Sequence, residues 1–151
     1  MKENCSVRRC VGLLLGGAVL LCFPGCGKTT DKDKVYPVSG TVLVQGKPAE
    51  GARVTFYRAD EGANRPGMAI PSGEVDSSGV YHLQAYLPGD GAPAGDYRVA
   101  VTWLEPVPAG VKPETITRQD RLGGRYADPS KSKLTAKVES GGGEIPAFDL
   151  K

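Results

Sequence analysis

The chain has 151 residues, a length at which one domain is the default, and it contains 21 glycines and 12 prolines. Because Gly costs about 1 kcal/mol and Pro about 3 kcal/mol inside a helix, this composition disfavours a helical protein and favours short strands joined by turns. The net charge of +2 comes from interspersed residues, which excludes a nucleic-acid-binding stripe and an acidic disordered tail.

The N-terminus has the parts of a secretory signal. Lys2, Arg8 and Arg9 give a positive start, and residues 11–23 form a continuous apolar and glycine run. All the cysteines lie in this region, at Cys5, Cys10, Cys22 and Cys26. A disulfide framework or a zinc site within the later, folding part of the chain is therefore excluded.

The signal ends in Phe23-Pro24-Gly25-Cys26, where a small residue stands directly before a cysteine and follows a leucine-rich run. This arrangement resembles the lipobox of bacterial lipoproteins, although that family usually has Leu three residues before the cysteine and a small residue two before it. The resemblance implies a signal peptide at residues 1–25 and a diacylglyceryl group on the Cys26 thiol. Two or three acyl chains hold a protein stably at a membrane.

Other interpretations of the N-terminus stay open. Cleavage after Gly27 would release a soluble protein. The uncharged stretch just reaches the length of about 17 residues that an uncleaved transmembrane anchor needs, and a cytoplasmic protein with a buried helix is a third alternative. A phosphate-binding loop ending in Gly27-Lys28-Thr29 is disfavoured, because Cys22 occupies the position of its first glycine.

Residues 26–34 are predicted to be a short polar tether, and residues 35–151 a single β domain. Apolar residues that alternate at period two predict seven strands. They are expected at Val38–Val44, Ala52–Tyr57, Glu74–Asp76, Val80–Ala85, Asp96–Trp103, Leu134–Val138 and Pro146–Leu150. This number of strands is typical of a sandwich.

Glycines punctuate these strands. Gly46, Gly79 and Gly95 are predicted at turns or reversals where a side chain would clash, and Gly40 is expected to relieve crowding in the first strand or to bend it. The Leu104–Tyr126 segment contains three prolines and is predicted to be a long loop. A loop of this length is often functional or mobile.

Four motifs follow one another along the chain. They are Val38-x-Gly40-x-Val42, Gly46-Lys47-Pro48-x-x-Gly51-Ala52-x-Val54, Asp76-x-x-Gly79-x-Tyr81 and Ala94-Gly95-Asp96-Tyr97-x-Val99. Together they resemble the carboxypeptidase regulatory-like domain, and residues 125–134 are similar to small bacterial lipoproteins that carry this domain alone. The resemblance implies a transthyretin-like (prealbumin-like) sandwich of Greek-key type. It implies an accessory, stabilising or binding module and brings no catalytic residue.

Few residues suggest chemistry, and no cofactor or metal is expected. The one histidine, His82, is predicted on the solvent face of its strand, which disfavours a nucleophilic triad and a transition-metal site. Asp76, Asp90 and Asp96 lie near glycine-rich turns without the spacing of a calcium loop, so turn capping is favoured over calcium binding.

Two sets of residues are candidates for contact with a partner or ligand. Tyr57 and Tyr86 are expected on exposed faces, where aromatic rings stack on sugars or pack on a partner. Arg118, Arg121 and Arg125 are placed in or beside the long loop and could meet phosphates or acidic glycans, with a solvated charged loop as the alternative.

The sequence therefore predicts a non-catalytic lipoprotein of the bacterial cell envelope with a structural or protein-binding role. The outer membrane, facing the periplasm or the exterior, is favoured because Gly27 stands where inner-membrane lipoproteins carry aspartate. Edge strands and the 104–126 loop are the expected contact surfaces, with an envelope protein or a glycan as partner and no nucleic acid. A carbohydrate- or small-ligand-binding module and an envelope hydrolase with His82 as base are the alternatives, and the oligomeric state is not predicted.

Overall fold

The computed structural model describes residues 33–60 and 68–151. The predicted signal peptide, Cys26 and all of the tether before Asp33 lie outside these residues, as does part of the loop that precedes Ser72. Apart from one short 3₁₀ helix at Pro113–Thr115, the regular secondary structure of the described chain consists of β-strands. This confirms the all-β class that the alternating apolar residues predict.

Ten strands are present in the described residues. They are Val35–Tyr36 (β1), Val38–Val44 (β2), Lys47–Pro48 (β3), Arg53–Arg58 (β4), Ser72–Glu74 (β5), Val80–His82 (β6), Ala92–Pro93 (β7), Gly95–Thr102 (β8), Leu134–Val138 (β9) and Gly143–Leu150 (β10). Each of the seven predicted strands corresponds to one of these, with ends that differ by up to three residues. The three additional strands, β1, β3 and β7, have two residues each and are too short to show alternation.

Two sheets form the sandwich. One is antiparallel throughout, with the strand order β5-β4-β8-β9. The other is built around β2, which pairs antiparallel with β3 and β6 and parallel with β10. Isolated bridges from Ser72 to Gln84 and from Val75 to Tyr81 join β5 to β6 and connect the sheets on that side. β1 and β7 form a separate two-stranded sheet.

Alternate residues of both sheets fill the core. The largest fully buried side chains include Val42, Val54, Phe56, Tyr81, Leu83, Tyr97, Val99, Val101 and Leu150. Phe56 lies between two tyrosines, with ring centroids 6.3 Å from Tyr81 and 5.5 Å from Tyr97, in the tilted arrangement that aromatic pairs prefer. These buried residues alternate along the central strands at the period of two that the sequence shows.

The predicted role of Gly40 in relieving crowding is confirmed. Gly40 is paired in register with Tyr81 of β6, and a Cβ at position 40 would lie 2.7 Å from the Tyr81 Cζ. The missing side chain lets the Tyr81 ring cross the strand. Gly46 and Gly79 have φ of +75° and +89° at turns, as predicted, and Gly95 has φ of +148° where β8 begins.

The strand directions define two ends of the sandwich. At the first, which we call the tether end, Val35 enters the domain, Arg58 ends β4 and Gly95 begins β8. At the second, which we call the loop end, Arg53 begins β4 and Thr102 ends β8. The second sheet has the same orientation, since β10 begins beside Val38 directly after β9 ends beside Gly95.

Polar contacts secure the tether end. The Arg58 guanidinium forms ion pairs with Asp33 at 3.1 Å and Asp60 at 3.2 Å, which ties the first described residue to the end of β4. The Tyr97 hydroxyl donates a hydrogen bond of 2.7 Å to the backbone carbonyl of Pro93. A tyrosine bonded to backbone a few residues upstream is also a feature of immunoglobulin-type sandwiches.

None of the described residues form a helix with the length and apolarity needed to cross a bilayer.

Candidate binding surface at the loop end

The base of the predicted long loop is a short hairpin stem. Leu104 forms a bridge with Asp120, the Glu105 N–H donates to the Gln119 carbonyl at 2.9 Å, and the Arg121 N–H donates to the Trp103 carbonyl at 2.7 Å. The segment predicted to be a long loop is therefore closed at its base by paired backbone. All three prolines fall in the tip, residues 106–118, so the stem keeps the backbone donors that pairing needs.

Asp120 fixes this stem. One carboxylate oxygen accepts hydrogen bonds of 3.0 Å from the backbone N–H groups of Trp103 and Leu122, and the other accepts one of 3.1 Å from Gly124. Leu122 is buried in the core. Hydrogen bonds from backbone N–H groups to a carboxylate are stronger than neutral ones, so a single side chain closes the loop onto the sandwich.

Trp103 and Arg121 pack together where the stem meets the sheet. The Trp103 Nε1–H donates to the Glu50 carbonyl at 2.8 Å, and the indole packs partly buried against the core. The Arg121 guanidinium carbon lies 3.7 Å from the Trp103 ring centroid, which is the geometry of a cation–π contact. The ring is held by the core and by its Nε1–H bond, and the guanidinium lies over one of its faces.

The other two candidate arginines also contact the chain around them. The Arg118 Nε–H donates to the Glu105 carbonyl at 2.7 Å, across the stem. The Arg125 Nε–H donates to the Leu122 carbonyl at 3.2 Å, and its guanidinium lies 5.8 Å from the Tyr126 ring centroid. Each of these arginines supports the local fold, and their contact with an acidic ligand stays a prediction.

A polar depression of about 180 Å³ lies beside the stem. It is lined by Gly51, Arg53, Glu74, Thr102, Leu104 and Arg118. Arg53 and Glu74 face each other across β4 and β5, with 3.9 Å between the guanidinium and the carboxylate. Leu104 and Val111 add exposed apolar surface at 38% and 37% exposure. The sequence analysis did not select Arg53 and Glu74. The alternation of apolar and polar residues in their strands places both side chains on the outer face, and this pattern could have identified them.

The two open edges of the sandwich, formed by β9 and β10, are poorly suited to binding a partner by the addition of a further strand. β10 has a register irregularity between Ile145 and Phe148, and Pro146 inside it has no backbone donor. β9 carries the exposed Lys137, which forms an ion pair of 3.0 Å with Glu139. Bulges, prolines and lysines at an edge discourage the addition of a further strand. The loop end is the better contact surface of those expected.

The structure separates the two candidate tyrosines. Tyr57 lies in β4 in register with Arg98 of β8 and is half-buried. Tyr86 is also half-buried and lines a groove at the tether end, away from the loop end. The fold places neither ring beside the Trp103 and Arg121 pair, and a role for either tyrosine in binding stays a prediction.

The aspartates of the turns act as caps. The Asp76 carboxylate accepts bonds from the Ser78 hydroxyl at 2.6 Å and from the backbone N–H groups of Ser78 and Val80. The Ser78 hydroxyl bond is the main cause of the lowered pKa of Asp76. Asp90 accepts bonds from three successive backbone N–H groups, beginning with Ala85 at 2.7 Å. Turn capping is confirmed for both.

The remaining candidates for chemistry lie apart from one another. His82 is exposed on β6, as predicted. Asp96 is exposed in β8, in register with Lys137. Among residues 33–60 and 68–151, no three side chains of the types that ligate metals come close enough to hold an ion.

Comparison of the chain with models of protein families, with curated proteins and with solved structures finds no match.

Proposed function

We propose that the chain is a lipid-anchored lipoprotein of the bacterial cell envelope whose sandwich is a non-catalytic, protein-binding module of the carboxypeptidase regulatory-like, transthyretin-like kind. The anchor is supported by the positive start, the apolar run and the Gly25-Cys26 junction. The binding role is carried by one observation, the closed hairpin stem at the loop end with Arg121 packed on Trp103.

A loop held in this way suits recognition. Binding by a free loop costs the entropy of ordering it, whereas here the Asp120 carboxylate and the stem hydrogen bonds have already fixed both ends. Functional contacts are commonly made by loops that a rigid scaffold positions. Closing the stem therefore lowers the entropy that the Leu104–Tyr126 loop, with Val111 at its tip, loses on binding a partner.

The chemistry of the loop end favours a protein over a sugar. Stacking on a sugar needs an open aromatic face, and the Arg121 guanidinium covers a face of Trp103 at 3.7 Å. The indole N–H is also engaged, by the Glu50 carbonyl. Exposed Leu104 beside charged Arg53 and Glu74 combines apolar surface with a polar rim, as transient protein interfaces do, and exposed Val111 at the loop tip adds further apolar surface.

The positions of the polar groups support a role without catalysis. A general base must be free to take a proton from substrate at hydrogen-bond distance. The carboxylates of Asp76, Asp90 and Asp120 each accept bonds from two or three backbone N–H groups, which occupies them in holding turns. His82 stands on an open sheet face.

We place the module at the outer membrane, facing the periplasm or the exterior, because Gly27 follows Cys26.

Site-specific photocrosslinking in cells tests the binding role. A photoreactive amino acid replaces Val111 at the loop tip in the full-length protein, and in a matched control it replaces His82, which is exposed on the sheet. We expect a discrete adduct with one envelope protein from position 111 and none from position 82. Equal adducts from both positions, or none from position 111, would contradict the proposal.

A further inference from the structure

A groove lined by both apolar and polar side chains, the latter including Ser72 and Gln84, opens at the tether end. Ile70, just before β5, and Leu87, between β6 and β7, are 48% and 68% exposed. They are the two most exposed large hydrophobic side chains of the described residues. Both line one groove of about 220 Å³, together with Ala85 and Pro88. Because they share a groove, they form a patch and not two isolated exposures.

The loop that carries Leu87 is fixed beside the point where the chain enters the domain. The Leu83 N–H donates to the Val38 carbonyl at 2.9 Å, and the Gly91 N–H donates to the Leu83 carbonyl at 3.0 Å. Gly91, with φ of +96°, packs so closely on the Tyr36 backbone that a Cβ has no room there. The Leu87 N–H itself is bound by the Asp90 carboxylate at 2.9 Å, so the loop holds Leu87 outward.

The covalent chain limits how far this end can lie from an acylated Cys26. The Arg58 ion pair fixes Asp33 on the domain, and Asp33 is seven residues from Cys26 in the sequence. Seven residues span at most about 25 Å when fully extended. The loop end lies farther away by the length of β8, which is about 27 Å for eight residues at the usual rise per residue.

The tether end carries charges of both signs, and its exposed Asp96, Glu139 and Glu144 lie on the side where β9 ends and β10 begins. Asp33 and Asp60 are both paired with Arg58, and Asp90 is bound by backbone N–H groups. Lys34 lies with its Nζ 5.3 Å from the Tyr36 ring centroid. Aromatic rings are enriched at the level of lipid headgroups, and exposed lysines are attracted to anionic ones.

We infer that the tether end is a membrane-contacting surface: Ile70 and Leu87 enter the interfacial region of the bilayer, and the loop end points away from it. This orientation rests on the proposed acylation of Cys26, and it adds which face of the sandwich lies on lipid. It leaves the Leu104–Tyr126 loop open to a partner while the protein stays anchored.

Depth-dependent fluorescence quenching tests the orientation. Cys26 is the only cysteine that the proposed mature chain keeps, and there it is acylated, so Leu87→Cys and Val111→Cys each introduce one free thiol for a fluorophore. Both native side chains are exposed, which makes the variants a matched pair. The acylated proteins are placed in vesicles of phosphatidylethanolamine and phosphatidylglycerol that contain nitroxide-labelled lipid. We expect quenching at position 87 to exceed that at position 111 at least threefold.

Flotation of the same vesicles distinguishes a wrong orientation from a missing lipid anchor. If the protein floats with the vesicles and the two positions are quenched equally, the anchor stands and the orientation is overturned. If the purified protein carries no acyl group and does not float, the proposed anchor fails and the orientation fails with it. Unchanged Trp103 emission in both labelled variants establishes that each is folded.

Discussion

At the residue scale, the close contact between Gly40 and the Tyr81 ring leaves no room for a side chain at position 40. We predict that Gly40→Ala lowers the free energy of unfolding by about 2 kcal/mol, because the added Cβ would lie 2.7 Å from the Tyr81 Cζ. The Tyr81 hydroxyl is buried without a hydrogen-bond partner in the described structure. We therefore expect Tyr81→Phe to leave stability unchanged or to raise it. Urea denaturation followed by Trp103 fluorescence measures both.

The double variant is the control for this pair. With the hydroxyl gone, Gly40→Ala should cost less in the Tyr81→Phe background than in the native chain, which gives a coupling between the two sites. A loss of more than about 1 kcal/mol from Tyr81→Phe alone would mean that the hydroxyl makes a favourable bond in the folded state, contrary to this account.

Tyr97 makes stability depend on alkaline pH. Burial raises its pKa to about 12, and the nearby Arg58 charge only partly opposes this. A tyrosine in the unfolded chain titrates near pH 10, so between about pH 10 and 12 the unfolded state loses a proton that the folded state keeps. The stabilisation is therefore complete below pH 10 and declines as the pH rises through this window.

The Tyr97→Phe variant tests that pH dependence. Below pH 9 it should be less stable by about 1 kcal/mol, because the hydrogen bond to the Pro93 carbonyl is lost. Between pH 10 and 12 its unfolding free energy should fall less steeply than that of the native chain. Equal slopes for the two proteins would exclude Tyr97 as a source of the alkaline effect.

At the scale of elements, the loop stem depends on Asp120. We predict that Asp120→Ala lowers the free energy of unfolding by about 2 kcal/mol, because three backbone N–H groups lose their acceptor. It should also shift Trp103 emission to longer wavelength as the stem opens. The matched control is Asp149→Ala, where one exposed bond of 3.4 Å to Gly46 is lost and little change is expected. A similar loss in both variants would contradict the role given to Asp120.

The sequence predicts a strand where a local pattern within one segment is enough to recognise it. The seven longer strands are visible because apolar side chains alternate over three or more residues. The pairing of β10 parallel to β2 is not visible, since register between distant segments leaves no local pattern. The stem at Leu104 and Asp120 is hidden for the same reason, and the three prolines beside it favoured a loop throughout.

The sequence predicts which segment forms the candidate site, but it does not predict which side chains come into contact there. Proline content and length mark the 104–126 segment, but the stacking of Arg121 on Trp103 depends on the stem that brings them together. Arg53 and Glu74 reach the same surface from two other strands. Such contacts are set by tertiary packing, which a single sequence does not display.

At the scale of the whole molecule, the two ends of the sandwich have different proposed tasks. In this proposal the tether end joins the chain to the membrane through Cys26, and the loop end meets a partner. The sequence predicts the anchor, because its signal is contiguous, and the strand directions supply the polarity that separates the two surfaces. Cys26→Ser should release the protein from the membrane without changing the urea midpoint of the domain, since every core residue of the described chain follows Val35.

Intact-mass analysis of the protein recovered from the membrane of its native host tests the central claim most directly. The account predicts a chain that begins at Cys26 and carries the mass of a diacylglyceryl group, with or without a further acyl chain on its amino group. An N-terminal residue without lipid, or a chain that still contains residues 1–25, would contradict it.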